Sequence, residues 1–298
     1  MRRSVLAWAA LACLASPFPA RAATNTAKDA MAKEAEKVVS QGWSIKRKLL
    51  VPAGGGSWYG VYIFEDPEGS HDRLRVWLGK GRAAQLCYLE LSSSHRIALE
   101  HVHDGGKMPA LYGDGKPTLA YSISALGTSS LRLVRFSAGK ASPESTPLPE
   151  GRLQDLDGDG QPEVVTRSLP LGSLFDVECG GFHTMARFAY RSSIYAFKNG
   201  ALEPASQRYA GWFDSHIADI EGRLAALDPR ATQTTGEYLS AALSLYFDHA
   251  EKGMPRQGWS RFTELYRAGP SDSAPVAQCM EQVRTDLRRK LNIPDSWQ

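Results

Sequence analysis

Between residues 43 and 210 the chain alternates short runs of β-branched and aromatic residues with clusters of Gly, Pro, Asp and Ser. Runs of this length and composition, separated by turn residues, are typical of successive antiparallel strands. They predict strands at residues 58–64, 74–78, 85–91, 118–123, 131–136, 163–167 and 187–197. We therefore expect an antiparallel, β-rich domain over residues 43–210.

Beyond these strands the apolar positions recur every three or four residues, which is the period of an α-helix. Further back, the Ala-, Lys- and Glu-rich residues 26–41 predict one short N-terminal helix. The C-terminal periodicity predicts four more helices, at residues 212–227, 237–250, 259–266 and 276–291. The chain is therefore expected to belong to the α+β class, with a helical domain over residues 212–298 after the β-rich domain.

The first 22 residues have the three parts of a bacterial secretory signal. Arg2 and Arg3 give a positive start, residues 5–15 are apolar, and residues 20–22 (Ala-Arg-Ala) form a small-x-small cleavage site. The apolar stretch is too short to span a bilayer, which takes about 20 residues. We expect a periplasmic or secreted protein with signal 1–22 removed and no transmembrane segment. Acylation of Cys13, as in a lipoprotein, is the alternative.

The charge balance argues against a nucleic-acid-binding role. The chain has 35 basic and 32 acidic residues, and three of the basic ones lie in the predicted signal, which leaves 32 of each. A chain with no basic excess has no electrostatic footprint for nucleic acid or for an anionic membrane. The remaining cysteines, Cys87, Cys179 and Cys279, allow three pairings, each with one thiol left free.

Residues 155–163 read Asp-Leu-Asp-Gly-Asp-Gly-Gln-Pro-Glu, with carboxylates at alternate positions followed by a glycine that permits a sharp turn. When such a backbone coils around a point, its oxygen atoms converge on that point. Ca²⁺ takes 6–8 oxygen ligands and tolerates irregular geometry, whereas Mg²⁺ requires a stricter octahedron. Ligation by oxygen alone also argues against Zn²⁺ and copper. The sequence therefore predicts one structural Ca²⁺, held by Asp155, Asp157, Asp159, the carbonyl of Gln161, and Glu163.

The loop matches the first half of an EF-hand loop, but position 12 is Thr166 instead of Glu, and Pro162 favours a following strand over a helix. With its last acid at position 9 and strands around it, the loop resembles the calcium loops of FG-GAP and VCBS repeats. The resemblance covers roughly residues 105–205. It implies a propeller fold and often a binding role.

A second, degenerate copy of the loop lies 45 residues earlier, where residues 113–117 match residues 158–162. A unit of 45 to 60 residues used twice is the spacing of propeller blades or similar sheet repeats. We therefore expect the β-rich domain to be propeller-like, or a partial propeller or sandwich, with sequence for about three blades. In the first copy Ala110, Tyr112 and Thr118 replace three of the acids, so this copy is not expected to bind calcium.

Two weaker constellations carry other chemistry. His101 and His103 would share one face of a strand, as a transition-metal site requires, but no third ligand is evident nearby and a polar strand end is the preferred interpretation. The second copy of the repeat contains an insertion, residues 169–185, in which Cys179 and His183 could form a nucleophilic pair. A structural or disulfide-forming Cys179 is the competing interpretation.

No Gly-x-Ser-x-Gly, His-Glu-x-x-His, phosphate-loop or dinucleotide motif occurs, which favours a role other than catalysis. We expect an exported calcium-binding interaction module with a protein or glycan partner, for example an inhibitor or immunity-type protein. One alternative is an envelope hydrolase of glycan or peptide, with Asp176, Glu178 and His183 facing one cavity. The other is a structural subunit of a larger envelope assembly. An exposed apolar patch would favour the interaction module.

Overall fold

The computed structural model describes residues 20–91, 95–172, 176–179, 182–185, 188–231 and 234–297, with side chains except at 20–25, 176–179 and 182–185. An N-terminal helix, α1 (Ala20–Val39), precedes the sheets. The first sheet is an antiparallel meander of β1 (Ser44–Gly54), β2 (Ser57–Glu65), β3 (Asp72–Lys80) and β4 (Ala83–Leu91). The second is a meander of β5 (Arg96–Leu99), β6 (Thr118–Ala125), β7 (Thr128–Ser137) and β8 (Lys140–Pro143).

The third sheet repeats this up-and-down order but contains an insertion. Its strands are β9 (Arg152–Gln154), β10 (Glu163–Ser168), β13 (Arg191–Lys198) and β14 (Ala201–Pro204). Between β10 and β13, two strands pair only with each other: β11 (Asp176–Cys179) and β12 (Phe182–Met185). The C-terminal helices are α2 (Ala210–Leu224), α3 (Thr235–Glu251), α4 (Pro255–Leu265) and α5 (Ala274–Lys290).

The three sheets pack face to face. Successive residues of a strand point to opposite faces, so one strand can contribute to an apolar cluster on each side of its sheet. Val61 of β2 belongs to an apolar cluster shared with the second sheet. In β6, Leu119 joins that same cluster, while the adjacent Ala120 joins a cluster shared with the third sheet. In β10, Val164 faces the second sheet and Val165 packs against α2. Helices therefore cover the two outer faces of the stack.

Helix α1 covers the outer face of the first sheet at very short range. Its Met31 and Val38 are buried against the aromatic side chains of that face. A Cβ at Gly79 would lie only 2.6 Å from the carbonyl oxygen of Ala27, and one at Gly60 only 2.8 Å from the sulfur of Met31. These two glycines let the helix backbone approach the sheet.

The C-terminal helices pack around α3, which is buried along most of its length. Helix α3 contacts α2, α4 and the strands β12 and β13, so the helical region rests on the third sheet. Cys279 of α5 is disulfide-bonded and Cys87 of β4 is free. The two pairings that include Cys87 are therefore excluded, and the third involves Cys179, whose side chain lies outside the described ones.

The structure confirms the α+β class, with antiparallel sheets followed by helices. The four C-terminal helices lie within four residues of their predicted bounds, and α1 begins six residues earlier than predicted. None of the three four-stranded sheets closes into a barrel. The sequence prediction omitted β1, β5, β8, β9, β11, β12 and β14. Most of these omitted strands are short, and their described residues are largely polar or exposed, so the apolar alternation that reveals a strand is weak in them.

The predicted signal, residues 1–22, lies almost wholly outside the described residues. Within the part of the chain that is described, no helix combines the length and the apolar character that a bilayer crossing needs.

Candidate calcium site

The predicted calcium loop, residues 155–162, connects β9 to β10 in the third sheet. The degenerate copy, residues 110–117, leads into β6 of the second sheet. Both β6 and β10 are the second strand of their meander. The two loops that match in sequence therefore occupy the same topological position in neighbouring sheets.

Three of the predicted ligands converge. One carboxylate oxygen from each of Asp155, Asp157 and Asp159 lies within 4.8 Å of the others, and all three residues are exposed. Among the described residues this is a group of acids close enough to share one cation. Convergence of three anionic groups carries a Coulombic cost that a cation relieves.

The loop backbone coils around the first of these carboxylates. The amide of Gly158 donates to Oδ1 of Asp155 at 2.8 Å, and that of Gly160 donates to Oδ2 at 3.0 Å. Gly160 has φ +85°, a left-handed conformation that glycine adopts without strain. The amide of Gln161 donates to Asp159 Oδ1 at 2.7 Å. These local bonds hold the aspartates on one side of the turn.

Glu163 occupies a different place from the three aspartates. Its side chain is buried, and Oε2 accepts the amide N–H of Leu156 at 2.9 Å across the base of the loop. The hydroxyl of Tyr209 also hydrogen-bonds to this carboxylate. Burial and this contact raise the pKa of Tyr209 above its ordinary value. In this structure Glu163 closes the loop, and its carboxylate is not part of the converging group of three aspartates.

Two residues outside the loop bind its carboxylates. The guanidinium of Arg208 lies 2.8 Å from Asp157 Oδ2, and the hydroxyl of Tyr209 lies 3.5 Å from the same oxygen. Both come from the 3₁₀ helix Ser206–Tyr209, which leads directly into α2. The loop is therefore connected to the start of the helical region through Asp157 and Glu163.

The side chain of Gln161 turns away from the aspartates. Its amide donates a hydrogen bond to the carbonyl of Leu111 in the degenerate copy, so the two loops touch. The predicted ligand at this position is the backbone carbonyl. The sequence did not reveal Arg208, Tyr209 or Leu111 as neighbours of the loop, because residues 50 or so positions apart show no local pattern.

The degenerate copy forms no such cluster. Tyr112 is buried, and its hydroxyl donates to Glu144 at 2.8 Å. The carboxylate of Asp114 lies 3.4 Å from the Lys116 ammonium and 3.7 Å from the Arg135 guanidinium. The amide of Lys116 also donates to Asp114, and together these contacts lower the pKa of Asp114. In this loop the cationic side chains of Lys116 and Arg135 therefore balance the charge of Asp114.

The first of the two weaker constellations is the histidine pair, His101 and His103. His101 and His103 lie in a 3₁₀ helix, so the expectation that they share a strand face is wrong. His103 is buried, with Nδ1 bonded to the Lys107 carbonyl at 2.8 Å and Nε2 accepting the Ala120 amide at 2.9 Å. Neither ring nitrogen remains for a metal. Burial lowers the pKa of His103, which fits a neutral structural imidazole.

The insertion contributes β11 and β12, in which Glu178 is paired across the strands with His183. The side chains of Asp176, Glu178, Cys179 and His183 lie outside the described ones, so their convergence on a cavity stays a prediction. No protein-family model, curated protein or solved structure matches this chain. The resemblance to FG-GAP and VCBS repeats therefore rests on the loop residues alone.

Proposed function

We propose that this protein is an exported calcium-binding interaction module, in which Ca²⁺ holds the loop 155–163 against the start of the helical region. The observation that carries the proposal is the convergence of three exposed carboxylates within 4.8 Å on a loop whose amides are turned inward. The donors are all oxygen, and this is the donor set that Ca²⁺ prefers. Glu163 and the carbonyl of Gln161 are the remaining proposed ligands.

The proposed ion has a structural role. Glu163 hydrogen-bonds to Tyr209, so ordering the loop also orders the 3₁₀ helix that leads into α2. A Ca²⁺ bound here would join the third sheet to the helices. It would also offset part of the negative charge of a loop that contains four acids and no basic residue.

A binding role is supported by exposed apolar residues on β4, the outer strand of the first sheet. Leu86, Leu89 and Leu91 are 45%, 38% and 63% exposed. Leucines grouped on one exposed strand are typical of a surface that contacts another molecule. A groove of about 720 Å³, lined in part by Lys198, Glu203 and Arg208, offers a second surface of mixed polar and apolar character.

The calcium proposal is tested on the purified mature protein by titration calorimetry and by thermal unfolding. Ca²⁺ should bind with a stoichiometry of one. At a hundredfold excess over Kd it should stabilise the fold by about 2.7 kcal/mol, which corresponds to several degrees in Tm. Asp157→Ala should abolish most of this response, because it removes one of the converging carboxylates.

The control is Asp114→Ala, which removes the one acid that the degenerate copy retains, at the position of Asp159, and should leave the calcium response intact. If wild-type protein shows neither heat of binding nor a calcium-dependent change in Tm, the proposal is wrong. Magnesium at the same concentration should give a weaker response, because its octahedral shell fits an irregular loop poorly.

Export and partner binding have their own measurements. Terminal sequencing should find Ala23 as the first residue of the mature protein in the periplasm or medium; a retained signal or an acylated Cys13 would contradict this. Capture of a protein or glycan from an envelope extract should be lost in Leu89→Lys if β4 is the contact surface. Capture that is unchanged in this variant would contradict that placement.

A further inference from the structure

Three two-residue hairpin turns of the sheets have the same backbone conformation. They are Leu126-Gly127 between β6 and β7, Ala138-Gly139 between β7 and β8, and Asn199-Gly200 between β13 and β14. The first residue of each turn has a φ between +48° and +52°, and the glycine has a φ between +78° and +81°. A turn with positive φ at both positions matches the twist of a hairpin and favours Asn, Asp or Gly as its first residue.

Leucine is a poor choice for the first residue of such a turn. A left-handed backbone is strained for a residue with a bulky side chain, whereas Asn tolerates it. The side chain of Leu126 is also fully exposed, so burial does not offset the strain. Ala138 and Asn199 show that the same turn forms without leucine. Leu126 therefore lowers the stability of the fold, which indicates a function outside it.

A second apolar residue with these two properties is Phe188, which precedes β13. Its φ is +68°, and its side chain is more than half exposed. Its ring stacks on that of Tyr190, with the ring centres 6.0 Å apart. Among the described residues, Leu126 and Phe188 are the large apolar ones that combine exposure with positive φ.

Both residues lie at the same end of the sheet stack, where the segment 149–150 connects the second sheet to the third. The amide of its second residue donates to the Ser129 carbonyl at 2.8 Å, near the base of the Leu126 turn. The carbonyl of its first residue accepts the Arg167 amide at 3.0 Å, near the end of β10. The Arg167 guanidinium in turn lies over the ring of Tyr190, 4.1 Å from its centre. The turn and the aromatic pair therefore belong to one end surface.

The shape and charge of this surface limit what it fits. The turn is a narrow, convex tip without charge, since residues 124–129 read Ser-Ala-Leu-Gly-Thr-Ser. Glu150 is the charged residue that lines the shallow groove beside the tip, and its carboxylate forms no ion pair with a described residue. A convex apolar tip complements a concave apolar cleft. A free carboxylate beside it favours a partner with a cationic group and disfavours an anionic lipid surface.

We propose that this end of the sheet stack is a second contact surface, on which Leu126 enters an apolar cleft of a partner protein. Phe188 packs at the rim of the cleft, and Glu150 pairs with a cationic side chain of the partner. The proposal rests on the interaction role proposed above, but neither on the contact through β4 nor on calcium. A fully exposed leucine that becomes buried in a cleft raises the affinity about tenfold or more.

The first test needs no partner. Leu126→Asn should raise Tm by about 1–4 °C, because Asn adopts the left-handed conformation with less strain. The matched reverse is Asn199→Leu, which places leucine at the same position of the β13–β14 turn and should lower Tm by a similar amount. An unchanged or lower Tm in Leu126→Asn would show that Leu126 serves the fold, and the proposal would then be wrong.

The second test locates the partner on this surface. The photo-crosslinking residue p-benzoyl-phenylalanine is placed at position 126 of the mature protein, or at position 199 as the control, and irradiated in an envelope extract. We expect one protein adduct from position 126 and none from position 199. Excess wild-type protein should suppress this adduct, and Leu126→Asn should suppress it about tenfold less effectively. Phe188→Ala and Glu150→Gln should also be weaker competitors than wild type.

Four outcomes of the crosslinking would overturn the proposal. They are an adduct with lipid, an adduct between two copies of this chain, no adduct at position 126, and equal competition by wild type and Leu126→Asn. Failure of this surface is separable from failure of the interaction role. If wild-type protein captures a partner that position 126 does not crosslink, only this surface is wrong. If wild-type protein captures nothing, the interaction role is wrong as well.

Discussion

The calcium loop and its degenerate copy occupy equivalent positions in neighbouring sheets but are stabilised by different groups. Both have a left-handed glycine, Gly115 or Gly160, and in both an aspartate accepts an amide two residues later. In residues 110–118 an acid is balanced by Lys116 and Arg135, and Tyr112 is buried. In residues 155–163 the acids outnumber their protein partners. The same backbone turn is therefore compatible either with a bound metal cation or with neighbouring cationic side chains of the protein.

The position that ends each loop shows the same contrast. Thr118 and Glu163 are both buried at the start of the second strand of a sheet. The hydroxyl of Thr118 has no hydrogen-bond partner in the described part of the chain, whereas the carboxylate of Glu163 accepts the Leu156 amide and contacts Tyr209. One loop therefore depends on a polar anchor and its counterpart does not.

The largest expected effect tests this anchor. In the presence of chelator, Glu163→Ala should lower the free energy of unfolding by about 1–3 kcal/mol, because the partly buried amide of Leu156 and the Tyr209 hydroxyl lose their acceptor. Thr118→Val, the matched substitution in the other loop, should be neutral or slightly stabilising, since it replaces an unpaired hydroxyl by a methyl group. Urea unfolding measures both. Equal losses in the two variants would show that the loops are anchored alike.

The second expected effect concerns His103, which supports the degenerate copy through the Lys107 carbonyl and the Ala120 amide. Burial lowers its pKa in the folded protein, so between about pH 6.5 and the lowered value only the unfolded chain binds the proton. Stability is therefore fully present above about pH 6.5 and falls with pH below it, by up to about 1.4 kcal/mol per unit. The position that matches His103 in the second copy of the repeat, 45 residues later, is Leu148, which does not titrate.

Urea unfolding at pH values from about 7.5 to about 5, the range in which an unperturbed imidazole titrates, checks this expectation. His103→Gln, which does not titrate, should flatten the part of the slope that belongs to His103. His101→Gln, at an exposed position in the same 3₁₀ helix, removes only a minor contribution to the lowered pKa of His103, so the slope should stay close to that of wild type. If the slope is the same in wild type and in His103→Gln, another group causes it.

The residues that form both loops could be predicted from the sequence, but the distant residues that contact them could not. Alternating acids and the repeated Gly-Asp-Gly are local, so the cluster of Asp155, Asp157 and Asp159 could be predicted and is found to converge. The partners Arg208 and Tyr209 lie some 50 residues away and come close only because the third sheet packs on α2. The buried position of Glu163 has the same origin.

The fold shows a similar division. Strands with alternating or continuous apolar residues, such as β2 and β10, were predicted, as were the amphipathic helices. Short polar edge strands such as β8 and β14 owe their existence to pairing with an inner strand, which a local pattern does not record. In the first sheet, β2, β3 and β4 were predicted, but the sheet was not recognised as a further copy of the repeat because the turn between β1 and β2 contains three successive glycines and no Gly-Asp-Gly.

The smallest expected effect concerns Arg208, the protein cation that pairs with the calcium loop. Asp157 and Arg208 are 32% and 61% exposed, so their ion pair contributes only about 0.2–1 kcal/mol. In chelator, Arg208→Gln should lower the free energy of unfolding by no more than this. With Ca²⁺ the effect should reverse: Arg208 and the ion compete for the same carboxylate, so the variant should bind Ca²⁺ up to about fivefold more tightly. Calorimetry measures the affinity, with the exposed Arg223→Gln on α2 as control. Weaker calcium binding in Arg208→Gln would show that Arg208 orients Asp157 for the ion. In that case a bound metal ion and a cationic side chain would not be alternatives in this loop.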